Sequence, residues 1–375
     1  MERLPYNILT ISWDQTLAMT SPAFGDAPER HIQYGRQVNH LFSITYSKKN
    51  LNLRDKKLSD NVFVYPTNSS HPLLFIFKAK KIAQRICQEN KIDLVLTQDP
   101  FLTGLVGVWI KKKFGCKLLV HYHGDFWHNS HWLKEHWYNF IFNFWQRLVL
   151  KRADALRVMS QGQREKFIQT GWSQQRIRVI STPVDLEKFL SLKVEDSGQK
   201  TVLHIGRDDQ VKDYDTLVKA FGLVKNKFSS VEFWQLGAAG ELEQAIKNNN
   251  FTDIKVLGLK PASQLIDFYQ SANIIVLSST SESFGKVLVE ANACAKPVVS
   301  TATTGATEII QDGVNGYLVP IKDYQALADR IIYLLEHPDQ AKAMGERGRQ
   351  LMKEKFGNNT EKIIKFWQDI ITNNW

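Results

Sequence analysis

The amino-acid sequence predicts an α/β protein made of two doubly wound, Rossmann-like domains with a cleft between them. Three observations predict it. Short apolar runs alternate with longer amphipathic ones along the chain, which is the signature of parallel βαβ units. The alternation comes in two series, separated by a polar stretch. At 375 residues the chain also exceeds what one ordinary core accommodates.

In the first series, strands are expected at Asn7–Ser12, Val62–Tyr65, Leu94–Thr97, Lys117–His121, Leu156–Met159 and Arg178–Ile180. Each is a short run rich in Ile, Leu, Val or aromatic residues. The longer patterns between them read as helices, for example Leu73–Glu89 and Leu102–Phe114. The segment Ser181-Thr-Pro-Val-Asp-Leu-Glu-Lys-Phe and the polar stretch Ser191–Lys200 form the expected linker. The second series places strands at Thr201–Ile205, Val231–Leu236, Ile254–Leu257, Ile274–Leu277, Pro297–Ser300 and Tyr317–Val319. The expected domains are residues 1–182 and 183–357, with a last helical segment over 358–375. That tail carries Phe366 and Trp367 on a helical pattern.

Composition fits a folded globular chain, at 43% hydrophobic and 23% charged residues. No apolar run approaches the length of a membrane span. The start, Met1-Glu-Arg-Leu-Pro-Tyr, does not read as a secretory signal. Cys87, Cys116 and Cys294 are odd in number and far apart, which supports neither a disulfide framework nor a zinc site. A cytoplasmic location is expected, peripheral at the inner face of a membrane if the basic surface is used.

The formal net charge of +10 is unevenly placed. Residues 1–185 carry 26 Lys+Arg against 14 Asp+Glu, and the remainder carries 22 against 24. A basic N-terminal half suits an anionic membrane surface, or is simply a lysine-rich solvated surface. No nucleic-acid recognition motif accompanies it, so nucleic acid is not an expected partner. The segment His131–Arg152 is helical in pattern, aromatic and ends in bases. It reads foremost as a helix packed inside the N-terminal domain with its aromatics in the core. The other reading lays it in a membrane interface.

The most informative stretch is Ser278-Ser-Thr-Ser-Glu-Ser-Phe-Gly-Lys-Val-Leu-Val-Glu290. An apolar strand runs into it and a helical pattern leaves it. Glu282 and Glu290 therefore sit at the carboxyl end of a parallel strand, where open α/β sheets bind ligands. Gly285 permits close backbone approach. A helix opening near Phe284 aims free N–H groups outward, which suits phosphate. Upstream, the run His204-Ile-Gly-Arg-Asp-Asp-Gln-Val-Lys212 ends a strand at Gly206 with Arg207 and Lys212 beside a helix start. Two such cations suit a diphosphate, Arg as a fork and Lys as a point charge. A third block reads Thr304-Gly-Ala-Thr-Glu-Ile-Ile-Gln-Asp-Gly-Val-Asn-Gly-Tyr-Leu-Val-Pro320.

In order and spacing, these three blocks resemble the retaining glycosyltransferases of the GT-B fold, specifically family 4 (glycosyl transferases group 1). The resemblance extends from about Asn7 to Phe356. It implies a last helix that crosses back onto the N-terminal domain. It also implies a nucleotide-diphosphate sugar as donor and a carbohydrate or lipid-linked hydroxyl as acceptor, in cell-surface polysaccharide or glycolipid assembly. By the same resemblance, Glu290 holds the ribose hydroxyls and Glu282 the sugar hydroxyls. Arg207 and Lys212 hold the diphosphate, beside Gly206. Backbone N–H groups around Ser283, Phe284, Gly285, Lys286 and Val287 bind phosphate or sugar oxygens. Glu308 either joins the site or braces the loop after Gly305.

The N-terminal half matches more loosely. Where the family usually has a Gly-Gly pair near the acceptor, this chain has Gly25-Asp26. In His121-Tyr-His-Gly-Asp125, the resemblance implies that His123 contacts the donor sugar and that His121 points elsewhere. Ser160 and Gln161 are expected to face the cleft. Retention of anomeric configuration is implied by the family. No cofactor and no metal are expected, because cations and a helix N-terminus meet the leaving charge. Asp213-Tyr-Asp215 has metal-site spacing but lies at a helix start, where acids are common. Two rival readings remain: a nucleotide-sugar epimerase of the same architecture, and a non-catalytic glycosyltransferase-like binding protein.

Overall fold

Apolar runs too rich in Ile, Leu and Val for a surface must be covered on both faces, and two parallel sheets do this. The computed structural model describes residues 3–19, 26–124, 126–191, 199–237 and 240–374. The chain divides into two compact units, residues 1–181 with 359–375 and residues 182–358.

The N-terminal unit contains, in chain order, β1 (Leu4–Ser12), α1 (Ala27–Gly35), β2 (Val38–Thr45), β3 (Lys56–Ser59), β4 (Val62–Pro66) and α2 (Pro72–Glu89). There follow β5 (Leu94–Thr97), α3 (Leu102–Phe114), β6 (Lys117–Tyr122), α4 (Ser130–Glu135), α5 (Asn139–Leu150), β7 (Ala155–Val158), α6 (Gln161–Gln169) and β8 (Ile177–Val179). The sheet runs β3-β4-β2-β1-β5-β6-β7-β8. Only the β3–β4 pair among these is antiparallel. The edge strand β3, Lys-Lys-Leu-Ser, is short and charged, which discourages pairing with another chain.

Two strands escape the sequence reading. In β2, Asn39, His40, Ser43 and Thr45 break the apolar run. Ser43 is nonetheless fully buried, accepting a 2.8 Å hydrogen bond from Thr10 Oγ1. A buried hydroxyl with a partner costs little, so the strand tolerates it. β3 is too short and too charged to give an apolar signal.

One expectation is corrected. The segment His131–Arg152 is two helices, α4 and α5, separated at residues 136–138. Its aromatics do not all enter the core. Trp132, Phe126 and Phe142 cluster around Phe101, but Phe140 and Phe144 are each 60% exposed and Trp137 is 76% exposed. The inner stripe of α5, through Gln146, Val149 and Leu150, is already enough to seat the helix on the sheet. No described helix is long and apolar enough to cross a membrane.

The C-terminal unit contains α7 (Leu186–Leu190), β9 (Thr201–Ile205), α8 (Tyr214–Lys227), β10 (Glu232–Leu236), α9 (Gly240–Asn249), β11 (Ile254–Gly258) and α10 (Ala262–Ser271). It continues with β12 (Ile274–Leu277), α11 (Lys286–Ala293), β13 (Val298–Thr301), α12 (Thr304–Ile309), β14 (Gly316–Val319), α13 (Tyr324–Glu336) and α14 (Pro338–Phe356). Its sheet is wholly parallel, in the order β11-β10-β9-β12-β13-β14. The chain winds outward from β9 in one direction and from β12 in the other. The carboxyl ends of these two neighbours form the topological switch point, where such sheets hold ligands.

The last helix, α15 (Asn359–Thr372), belongs to the N-terminal unit. Ile363, Phe366, Trp367 and Ile370 are buried against Tyr34, Leu41, Leu94 and Leu119. The Trp367 indole meets the Tyr34 ring edge-on at 5.3 Å. This helix covers the sheet face opposite the one under α2, α3 and α5.

Candidate functional site

The three sequence blocks converge at the switch point of the C-terminal unit. The loop after β9 turns back under its own strand end. The Tyr214 hydroxyl donates to the Arg207 carbonyl at 2.9 Å, and Asp213 caps α8 by accepting from Thr216 N. The loop is then tied to β12. Ser278 Oγ donates to the Lys212 carbonyl at 2.7 Å, and Thr280 N donates to the Val211 carbonyl at 2.8 Å. The third block closes from the other side: Gly305 N donates to the Glu282 carbonyl at 2.7 Å. A Cβ on Gly305 would lie 2.5 Å from Phe284 N, so only glycine lets α12 approach this loop.

The side chains at this meeting point carry alternating charge. Lys212 Nζ lies 2.7 Å from Glu282 Oε2, with both side chains largely screened from solvent. Lys286 Nζ lies 3.2 Å from Glu290 Oε1 across one helical turn. Glu290 itself is 5% exposed, and its other oxygen accepts a 2.7 Å hydrogen bond from the Tyr269 hydroxyl. Burial first, then the Glu290 charge, pushes the Tyr269 phenol well above its ordinary pKa, so it remains a donor. The Arg207 guanidinium is exposed, and no hydrogen bond or ion pair engages it among the described residues. It stands ready for an anion.

α11 opens at Lys286, two residues beyond the expected Phe284. Gly285 is its cap, at φ +73, a left-handed conformation that glycine adopts without strain. No side chain caps this terminus, and of its first turn Leu288 N donates to the Gly285 carbonyl at 2.9 Å; uncapped N–H groups at a helix start suit an anion. Phe284 is 6% exposed and packs edge-on against Phe356. Ser283 and Val287 are half-buried beside it. Gly206 follows β9 close to Lys212: a Cβ there would meet His204 Cε1 at 2.8 Å and Lys212 Cδ at 3.5 Å.

Other residues prove structural. Asp213 and Asp215 are engaged within the unit, Asp213 as the cap of α8 and Asp215 with Lys219 of the same helix and Asn249 of α9. The third block divides in function. Its Asn315 is fully buried, where it accepts from Gln311 N at 2.7 Å and bonds the buried Asn292. Glu308 is half-buried, and Lys355 donates to its backbone carbonyl.

The N-terminal unit has its own switch point, between β1 and β5. His123, just past β6, shares a 2.7 Å hydrogen bond through Nε2 with Gln98 Oε1, just past β5. Desolvation, then Arg157 and Arg30, hold the His123 imidazole at about 3, so it is neutral at physiological pH. His121 is 3% exposed and its Nδ1 lies 3.4 Å from Arg157 Nη1. Ser160 is fully buried and caps α6 by accepting from Gln163 N, which commits its side chain to structure, while Gln161 opens the helix exposed. Asp26 precedes α1 and pairs with Arg30 at 2.5 Å. Gly25 lies outside the described residues.

Sequence reasoning missed Tyr269, Tyr214 and Gln98. Tyr269 lies on a preceding helix, 21 positions from Glu290, and no local spacing links the two. Gln98 follows the strand Leu94–Thr97, and its place at a strand's carboxyl end was the available signal.

Known proteins bear on this arrangement. The Glycosyl transferases group 1 family matches residues 188–351, and Glycosyltransferase Family 4 matches residues 40–188. An uncharacterized glycosyltransferase of Methanocaldococcus jannaschii is 26% identical over 283 residues, covering 75% of this chain and 76% of its own length. The N-acetyl-alpha-D-glucosaminyl L-malate synthase of Bacillus anthracis is 32% identical over 46% of this chain and 45% of its own. The capsular polysaccharide biosynthesis glycosyltransferase CapM of Staphylococcus aureus is 25% identical over 58% of this chain and 62% of its own. The match thus spans less than two thirds of the last two relatives.

Among solved structures, sucrose-phosphate synthase of Thermosynechococcus elongatus aligns with a TM-score of 0.83 at 20% identity, over 98% of this chain and 100% of that one. Anabaena HepE, solved with UDP and glucose, aligns at 0.72 and 21% identity, over 96% and 98%. These likenesses concern the fold. Together with the two family matches and the convergent switch-point blocks, they show that the chain belongs to the family 4 glycosyltransferases of the GT-B fold.

Proposed function

We propose that this chain moves a glycosyl residue from a nucleoside diphosphate sugar to a hydroxyl acceptor, with retention at the anomeric carbon and without a divalent metal. The observation that carries the reading is the Lys212–Glu282 pair, 2.7 Å apart where all three sequence blocks meet. A cation for diphosphate beside a carboxylate for hydroxyls is the chemistry of a nucleotide sugar. Among structural neighbours, HepE has been solved with UDP-glucose, which supports a nucleotide sugar as the donor class.

Each group has a role in this reading. Glu290 accepts from the ribose hydroxyls, held in place by Tyr269. Arg207, Lys212 and the first N–H groups of α11 hold the diphosphate. Glu282 exchanges its ion pair with Lys212 for sugar hydroxyls once the phosphates arrive. From the N-terminal unit, His123 offers a neutral imidazole to a sugar hydroxyl, and Asp26 serves the acceptor.

As the bond between the anomeric carbon and the phosphate oxygen breaks, its electron pair stays on the diphosphate. The cations and the helix N-terminus stabilise that charge. The acceptor oxygen bonds the anomeric carbon from the same face, and its proton passes to the departing phosphate oxygen. No group from a cofactor enters the scheme. The acceptor is a carbohydrate or lipid-linked hydroxyl in cell-surface polysaccharide or glycolipid assembly, a reading supported by relatives such as CapM. Proton NMR of the product formed in the presence of a metal chelator tests the scheme. The expected product keeps the donor's anomeric configuration. An inverted product, or turnover lost on chelation and restored by a divalent cation, overturns it.

A further inference from the structure

The N-terminal unit has a surface that the donor chemistry does not use. More than half of the exposed large hydrophobic side chains among the described residues lie on α2 or around α5. On α2 they are Leu73, Leu74 and Phe77, the last 69% exposed. Around α5 they include Trp137, Phe140, Ile141 and Phe144. Both sets fall in the first half of their helix. Since α2 follows β4 and α5 follows β6, both sets lie at the carboxyl edge of the same sheet. Both helices also cover the same sheet face, with α3 between them in contact with each.

Further along the same solvent-facing stripes, apolar residues give way to bases. Phe77 is followed at helical spacing by Lys81 and Arg85, and Phe144 by Arg147 and Lys151, all exposed. α3 ends in Lys111-Lys-Lys113. Lys80 and Lys113 lie 5.6 and 5.1 Å from the Trp109 ring, and Lys80, Lys81 and Arg85 line a groove between α2 and that ring on α3. The three helices together hold eight bases and one acid, Glu89. That is a net +7 against +10 for the whole chain. Lys81 and Lys112 make no ion pair among the described residues.

We propose that the outer face of α2, α3 and α5 docks on an anionic bilayer, with the aromatic edge entering the interfacial layer and the lysines resting against lipid phosphates. Aromatic rings with an apolar body suit that layer, and bases beside them suit anionic headgroups. Charge argues against a second copy of this chain as the occupant, because two faces of the same strong positive charge repel. The surface uses none of the residues assigned to the donor site, so failure of this proposal leaves the glycosyl-transfer reading standing.

The test is co-sedimentation of the full chain with phosphatidylglycerol–phosphatidylcholine vesicles and with phosphatidylcholine alone. The wild type is expected to bind the anionic vesicles at least tenfold more tightly, and less so as salt rises. The double variant Phe140→Ser/Phe144→Ser should lose at least tenfold. Lys81→Gln/Lys112→Gln/Lys113→Gln should weaken binding and flatten its salt dependence. Both variants alter exposed side chains and should keep the wild-type melting temperature and donor affinity. No binding to anionic vesicles overturns the proposal, as does binding that ignores the phenylalanine substitutions or is equal on neutral lipid. A wild-type dimer that these substitutions dissociate also overturns it, by assigning the face to a copy of the chain.

Discussion

The two units handle buried charge in opposite ways. At the switch point of the C-terminal unit, carboxylates meet cations: Lys212 with Glu282, and Lys286 with Glu290. In the N-terminal unit the buried guanidinium of Arg157 has no carboxylate among its partners in the described residues. It donates to the Ile180 and Ser181 carbonyls and lies against His121. Desolvation lowers it to about 10, and His121 and His123 beside it are kept neutral. The difference sets a switch point of paired carboxylates and cations against a carbonyl-bound guanidinium and neutral imidazoles, with the Arg30–Asp26 pair at the start of α1 as the charged exception. The former suits a nucleoside diphosphate. The latter suits hydroxyls, which need hydrogen bonds rather than charge.

The largest expected effect breaks the charged side of this contrast. Arg207→Ala removes an exposed cation that no side chain among the described residues holds, so the fold and melting temperature should stay as in wild type. Transfer should fall by about a hundredfold to a thousandfold, the scale for losing one stabiliser of leaving charge. Glu290→Gln keeps an acceptor for Tyr269 and should lose activity chiefly through donor KM. Steady-state kinetics with circular dichroism as a fold control checks both.

Next in size is a stability effect confined to one unit. Trp367→Ala empties a site against Tyr34 in the N-terminal unit, where the indole is 1% exposed. It should cost about 3–5 kcal/mol there. Calorimetry should show that transition falling while the one belonging to the C-terminal unit stays.

Acid should separate the units further. Burial holds His31 and His204 at about 4, from an ordinary 6.5. Between those values the unfolded chain binds protons that the folded chain does not, so stability is lost as pH falls from 6.5 toward 4. Each such histidine contributes a loss of about 2 kcal/mol by pH 5. The N-terminal unit has His31, His121 and His123 in this state, and the C-terminal unit has His204. Denaturant melts at pH 7.5 and 5 should therefore weaken the N-terminal unit more. Equal losses would contradict the neutral assignment of the N-terminal imidazoles.

The smallest effect sharpens a structural assignment. Asp213 caps α8, so Asp213→Ala should cost about 1–2 kcal/mol and spare catalysis. A loss of activity that added divalent metal restores would return Asp213 to the chemistry.

The C-terminal unit was the more legible in sequence because its groups lie within short, contiguous blocks at strand ends. Lys212 and Glu282 meet as their positions after β9 and β12 imply, while Arg207 and Glu290 lie within the same two blocks. What escaped there are partners from other elements. Tyr269 reaches Glu290 from α10, and Asn315 of the third block is a buried brace against Asn292. The N-terminal unit was less legible for the same reason on a larger scale. Its His123–Gln98 contact joins residues 25 apart, and β2 hides its strand character behind buried hydroxyls that pair across the sheet. The aromatic segment after β6 misled because a hydrophobic helix is usually buried, whereas α5 needs only its inner stripe to be seated.

Isothermal titration of the wild type and Arg207→Ala with UDP-, GDP- and ADP-sugars, each with a metal chelator present, tests the donor site most directly. The account predicts that one of these nucleotides binds the wild type without metal and that Arg207→Ala weakens it at least tenfold. Absence of binding by all three, or equal affinity in the variant, would contradict the assignment of the switch-point blocks to a nucleotide sugar.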